Sequence, residues 1–149
     1  MKRKNNRSPV ARALFLLYCA AMFWLLFGQR IGEPSYLAKI RMNINMTPLR
    51  TIRQYTHLLQ NPRFAWHAFV NLFGNVLMFI PLGYLLPKIW NRYRKFFRLF
   101  FHALIVLIIV EATQYFTMLG SLDVDDLILN LAGVIIGYVM WLLIGKAKK

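Results

Sequence analysis

Four apolar runs of about twenty residues dominate this 149-residue chain, at about residues 10–28, 64–86, 97–118 and 126–145. A bilayer's hydrocarbon core takes ~20 apolar residues of helix to cross. Backbone in lipid must satisfy its own hydrogen bonds, so each such run folds as a helix. With 58% hydrophobic residues and a mean hydropathy of +0.46, the chain is too apolar for an ordinary soluble domain. The reading is an all-α integral membrane bundle of about four transmembrane helices. One membrane domain covers residues 10–145, between a basic N-terminus (1–9) and a basic tail (146–149).

Lys and Arg number 19 against 5 Asp and Glu. Such an excess suggests nucleic acid in a soluble domain. Here the charges sit in short clusters between apolar runs, which is how spans are oriented and headgroups met. Nucleic acid is therefore excluded as a partner, and the lipid bilayer takes its place. Thirteen basic residues fall before the first run, between the second and third, after the fourth, or in the opening residues of the first and third runs (Arg12 and Arg98), against six in the two remaining loops. The positive-inside rule then predicts a multi-pass plasma-membrane protein with both termini cytoplasmic. The basic head and first run resemble a signal peptide, but no small-x-small cleavage site follows before "GQRIGEP", so the run is read as a retained span. Cys19 is the only cysteine, which leaves no intramolecular disulfide and no thiolate metal site.

In the first outer loop, "TPLRTIRQYTHLLQNP" opens on Thr47-Pro48 and closes on Asn61-Pro62. Leu49, Ile52, Tyr55 and Leu59 favour one face, and Arg50, Arg53, Gln54, His57 and Gln60 mostly take the others. This predicts a short amphipathic helix, lying in the interface or packed on the bundle.

The polar residues within the spans carry the functional argument. Asn71 and Asn75 are one turn apart on one helix face, as are Glu111 and Gln114 on the third span. Asp123, Asp126 and Asn130 share a face of the fourth, continued by Gly133 and Gly137. Glu111 is a lone carboxyl group in an apolar run. A charge at mid-bilayer costs at least ~2.5–3.5 kcal/mol, so it must be protonated, paired or wet. At 1.5 Å per residue, Glu111 lies roughly 10–13 Å and Asn75 roughly 16 Å below the outer surface. Agreement in depth among three helices predicts one polar cavity near the outside. Each feature also has a plainer explanation. Asparagines bond neighbouring helices, aspartates cap a helix (the preferred account of Asp125), and glycines permit close packing. Pro81 is expected to kink its span and release the Leu77 carbonyl. No metal motif with fixed spacing is present and no cofactor is assigned. The hard oxygens of Glu111, Asp123 and Asp126, with His67, would suit Ca²⁺ or Mg²⁺ better than zinc.

The blocks "NMTPLRTIRQY" (45–55), "NLFGNVLMFIPLGYLLP" (71–87) and "EATQYFTMLGSLDVDDLILNLAGVIIGY" (111–138) together resemble the VanZ-like family of bacterial membrane proteins, over roughly residues 43–143. Its pattern falls on residues including Arg50, Asn71, Gly74, Asn75, Pro81, Gly83, Glu111, Gln114, Asp123, Asp125, Asp126 and Asn130. The resemblance implies a cell-envelope protein; the founding member is associated with resistance to the glycopeptide antibiotic teicoplanin. Three functions are then open. In a binding protein, Asn71, Asn75, Gln114 and Asn130 would hold the headgroup of a lipid-linked cell-wall or envelope molecule, or of a lipoglycopeptide's membrane-anchored partner, with Arg50 and Arg53 meeting phosphates. In an envelope-modifying enzyme, Glu111 would be the acid/base, with Asp123 or Asp126 orienting substrate. In a small transporter or proton-coupled channel, Glu111 would carry the proton, and four spans would require an oligomer.

Overall fold

The computed structural model describes residues 9–28, 44–117 and 119–145. The basic segments 1–8 and 146–149, and the loop cations Arg30, Lys39 and Arg41, lie outside the described residues. The elements are α1 (Pro9–Phe27), β1 (Ile44–Asn45), α2 (Arg50–Leu58), α3 (Ala65–Ile89), a 3₁₀ turn (Asn91–Arg94), α4 (Phe96–Phe116), β2 (Leu122–Asp123) and α5 (Val124–Met140). A π-helical turn, Trp141–Gly145, prolongs α5. Helices α1, α3, α4 and α5 with its π turn are each long and apolar enough to cross a membrane.

The bundle is closed by backbone contact between α3 and α5. A Cβ on Gly83 would overlap the Val134 carbonyl, one on Gly133 the Val76 carbonyl, and one on Gly137 the Ile80 carbonyl. In lipid, where apolar burial gives helices no driving force, such close approach maximises dispersion and Cα–H···O contact. The packing role expected for Gly133 and Gly137 is therefore met, with Gly83 as the answering residue on α3. Phe79, Leu99, Ala103, Leu107, Val134 and Tyr138 fill the core between α3, α4 and α5. Helix α1 is more peripheral, seating Ala11 against Leu85 and Ile89. Leu16, Leu17, Phe97, Ile109 and Leu143 are exposed, as the lipid-facing surface of a membrane bundle must be.

Helix α3 runs unbroken through Pro81 and Pro87. Proline lacks an N–H, so Pro81 leaves the Leu77 carbonyl without its usual helical donor. Next to it, the Met78 carbonyl accepts a 3.0 Å hydrogen bond from the Tyr18 hydroxyl of α1. A polar tie therefore joins α1 to α3 where the backbone ladder is weakest.

One end of the bundle gathers β1, α2 and the α4–α5 turn. There β1 and β2 pair in parallel, Ile44 with Leu122 and Asn45 with Asp123. At the opposite end, the Tyr138 hydroxyl donates to the Arg94 carbonyl at 2.8 Å, and the Arg94 guanidinium lies 6.0 Å from the Trp141 ring centre.

Candidate functional site

At the β-paired end, all four spans contribute to a cavity of about 220 Å³. Leu25 and Leu26 come from α1, Asn71, Asn75 and Met78 from α3, Glu111 and Gln114 from α4, and Asp126 and Asn130 from α5. The α4–α5 turn adds Gly120, Ser121 and Asp123, and α2 adds Thr51 and Tyr55. The turn-by-turn spacing expected from the sequence explains this: each polar pair shares the helix face turned inward. Asn71, Asn75, Glu111, Gln114, Asp123, Asp126 and Asn130 are thus brought together. Arg50 and Arg53 are not; both are exposed on α2 and neither lines the cavity.

Helix α2 is fastened over this end by Asp125, which is fully buried. Its carboxylate accepts hydrogen bonds from the backbone N–H groups of Leu49 (2.6 Å), Thr51 (2.7 Å) and Ile52 (3.2 Å). Those groups belong to the first turn of α2, where N–H donors have no helical partner and the dipole favours an anion. Capping was the expected role of Asp125, but the helix it caps is α2 and not its own. Its own helix is capped by Asp123, whose Oδ1 accepts from the Asp125 N–H at 2.8 Å. The order is dictated by direction: Asp123 precedes α5 in extended backbone, while Asp125 stands inside the first turn and projects outward. Leu49 adopts the left-handed conformation (φ 66°), which costs a non-glycine residue roughly 1–2 kcal/mol and is held by its bond to Asp125.

Asp123 is equally committed. Oδ1 also accepts from Asn45 Nδ2 at 2.9 Å, and Oδ2 accepts from the Thr51 hydroxyl at 2.6 Å. Asn45 Nδ2 bridges to Thr51 Oγ1 at 2.9 Å, and its Oδ1 accepts from the Thr47 N–H. With both oxygens engaged, Asp123 is placed to hold the fold together more than to move protons. Sequence periodicity missed this network because Asn45, Thr51 and Asp125 meet only through tertiary structure. The signal available was the isolated "NMTPLRTI" block beside "LDVDD".

The remaining groups are arranged around the chamber. Asn75 Nδ2 donates to Asp126 Oδ1 at 2.7 Å, linking α3 to α5. Gln114 is buried, and its Nε2 donates to the Leu26 carbonyl at 2.9 Å, satisfying the last turn of α1. Asn71 is exposed at the margin and donates to the His67 carbonyl one turn back. Glu111 is 7% exposed and Asn130 4% exposed, so both sit well inside the protein. Ser121 also lines the cavity; the turn, not a helix, delivers it. Among the described residues, no three His, Cys, Asp or Glu side chains gather as a bound metal would need, and His67 does not line the cavity.

Four spans of this length define a multi-pass membrane protein. The chain belongs to the VanZ/LLP1 family, whose model matches residues 15–145. It is similar to Protein VanZ of Enterococcus faecium, at 25% identity over 138 residues that cover 92% of this chain and 76% of the relative. No solved structure matches the chain.

Proposed function

We propose that the protein binds an envelope component in its polar cavity, at the outer face of the plasma membrane, and so contributes to resistance against teicoplanin-type glycopeptides. The observation that carries this reading is the cavity itself. Polar side chains from separate spans converge on a chamber of about 220 Å³, and burying them without a guest or water to meet would be costly. Orientation comes from the charges: the positive-inside rule puts the β-paired end outside. Arg50 and Arg53 then stand at the outer headgroup level, beside the cavity, where phosphates of a lipid-linked molecule would meet them. Family membership and the likeness to Protein VanZ support the link to glycopeptides.

The binding reading is favoured over an enzymatic one by the state of Asp123. In the enzymatic reading Asp123 would help to orient substrate beside the Glu111 acid/base, and both of its oxygens already hold α2 and β1. The test is teicoplanin susceptibility of cells carrying Glu111→Gln or Asn75→Leu, with membrane expression verified. Loss of resistance in both is expected. If both variants protect as well as the parent chain, the cavity has no part in the function.

A further inference from the structure

We infer that the cavity selects a cation, specifically the protonated amine of its guest, and turns anions away. This deepens the binding reading above and rests on it. Glu111, Asp123 and Asp126 line the chamber, and among the described residues no Lys, Arg or His does. The whole chain has the opposite sign, with a net charge of +14. An acidic chamber thus sits inside a basic protein.

Carboxyl groups alone do not name a ligand, but Asn130 adds an independent constraint. Asn130 lines the same cavity, and its buried Oδ1 has no hydrogen-bond partner among the described residues. A buried acceptor left unmet is unfavourable, and an N–H donor in the chamber relieves it. The neighbouring amides do not supply one. Asn75 Nδ2 donates to Asp126, and Gln114 Nε2 donates to the Leu26 carbonyl. The chamber also holds amide N–H and hydroxyl donors, but its charged groups and its unmet buried oxygen are all acceptors. An ammonium group offers three N–H donors and no acceptor, which matches; a phosphate or carboxylate offers acceptors and does not. The volume equals about seven waters at ~30 Å³ each, room for a small amine-bearing headgroup. Any phosphate on the same guest stays outside, toward Arg50 and Arg53.

The test uses Ser121→Cys in a Cys19→Ser chain, purified in neutral maltoside micelles. Its thiol is reacted with 2-aminoethyl methanethiosulfonate, a cation, and with the 2-sulfonatoethyl reagent, an anion. Each rate is divided by that for free cysteine. The overall charge of the protein favours the anion, so cation preference at position 121 reports the chamber's local field. The cation is expected to react at least about tenfold faster. Equal rates, or faster reaction of the anion, overturn the amine assignment while leaving an accessible cavity in place. No reaction with either reagent overturns the cavity reading as well. Dissolved ethanolamine and phosphatidylethanolamine are then compared as competitors. Slowing by ethanolamine supports a free amine, slowing by the lipid alone supports a lipid-borne one, and slowing by neither overturns the proposal. The preference is read on the thiol variant alone, so it does not depend on carboxylate variants folding.

Discussion

At the scale of single residues, Asp125 has the clearest structural duty. Three backbone N–H groups of α2 point at one buried carboxylate, and charge-assisted bonds of this kind are the strong ones. Asp125→Ala is expected to cost about 2–4 kcal/mol, since it leaves buried donors unmet and releases the strained Leu49 turn. Asp125→Asn keeps one acceptor and is expected to cost less. Thermal unfolding in detergent ranks the three proteins, and protease cleavage within residues 46–60 reports whether α2 has detached. Equal stability of Asp125→Ala and the parent would refute the clamp. From the sequence, Asp125 is legible as a capping residue, because aspartate beside a helix start is a local signal. Which helix it caps is not legible: the partner lies 73 to 76 residues away and is chosen by the pairing of β1 with β2.

At the scale of elements, the contact of α3 with α5 decides whether a bundle exists. Gly133→Ala or Gly137→Ala would press a methyl group into backbone carbonyls, which cannot swing aside as a side-chain tip does. Overpacking of this sort typically costs about 1–3 kcal/mol. Gly74, on α3, is the contrasting case, since a Cβ there would meet only Val70 Cγ1 at 3.8 Å. Gly74→Ala is expected to be neutral or to stabilise by up to about 1 kcal/mol through helix propensity. Unfolding temperatures of the alanine variants check the ranking, and destabilisation by Gly74→Ala as large as that by Gly133→Ala would contradict it. The GxxxG spacing of Gly133 and Gly137 marks a packing face from sequence alone. Gly83 is harder to assign, because its partner Val134 is defined only by the register of the crossing. Helix α2 shows the same division. Its amphipathic pattern is visible in sequence, yet its docking on the bundle follows from Asp123 and Asp125, which lie outside the pattern.

At the scale of the whole molecule, the four spans among the described residues predict that both termini share one side, and the positive-inside rule predicts that this side is the cytoplasm. Fusions test this directly. A green fluorescent protein joined after residue 149 is expected to fluoresce, and a periplasmic or secreted phosphatase at the same place to be inactive; the reverse would put the cavity on the cytoplasmic side. The length and apolarity of the spans, and the convergence of their polar faces, are legible from hydropathy and helical period because those quantities are local. The occupants of the chamber's roof, Thr51 and Tyr55, and its turn residue Ser121 are not, because they depend on how two loops meet. For the same reason the phosphate-facing role expected of Arg50 and Arg53 falls outside the chamber.

The central claim is that water reaches a chamber between the spans. Leu77 and Met78 are neighbours on α3, yet Leu77 is 59% exposed on the lipid side while Met78 is half-buried and lines the cavity. Single cysteines at the two positions, in a Cys19→Ser chain reconstituted in vesicles, can be reacted with a membrane-impermeant maleimide. Thiols react as thiolates and need water, so Met78→Cys is expected to label at least about tenfold faster than Leu77→Cys. Equal labelling, or faster labelling of Leu77→Cys, would mean that the polar side chains do not enclose a wet cavity.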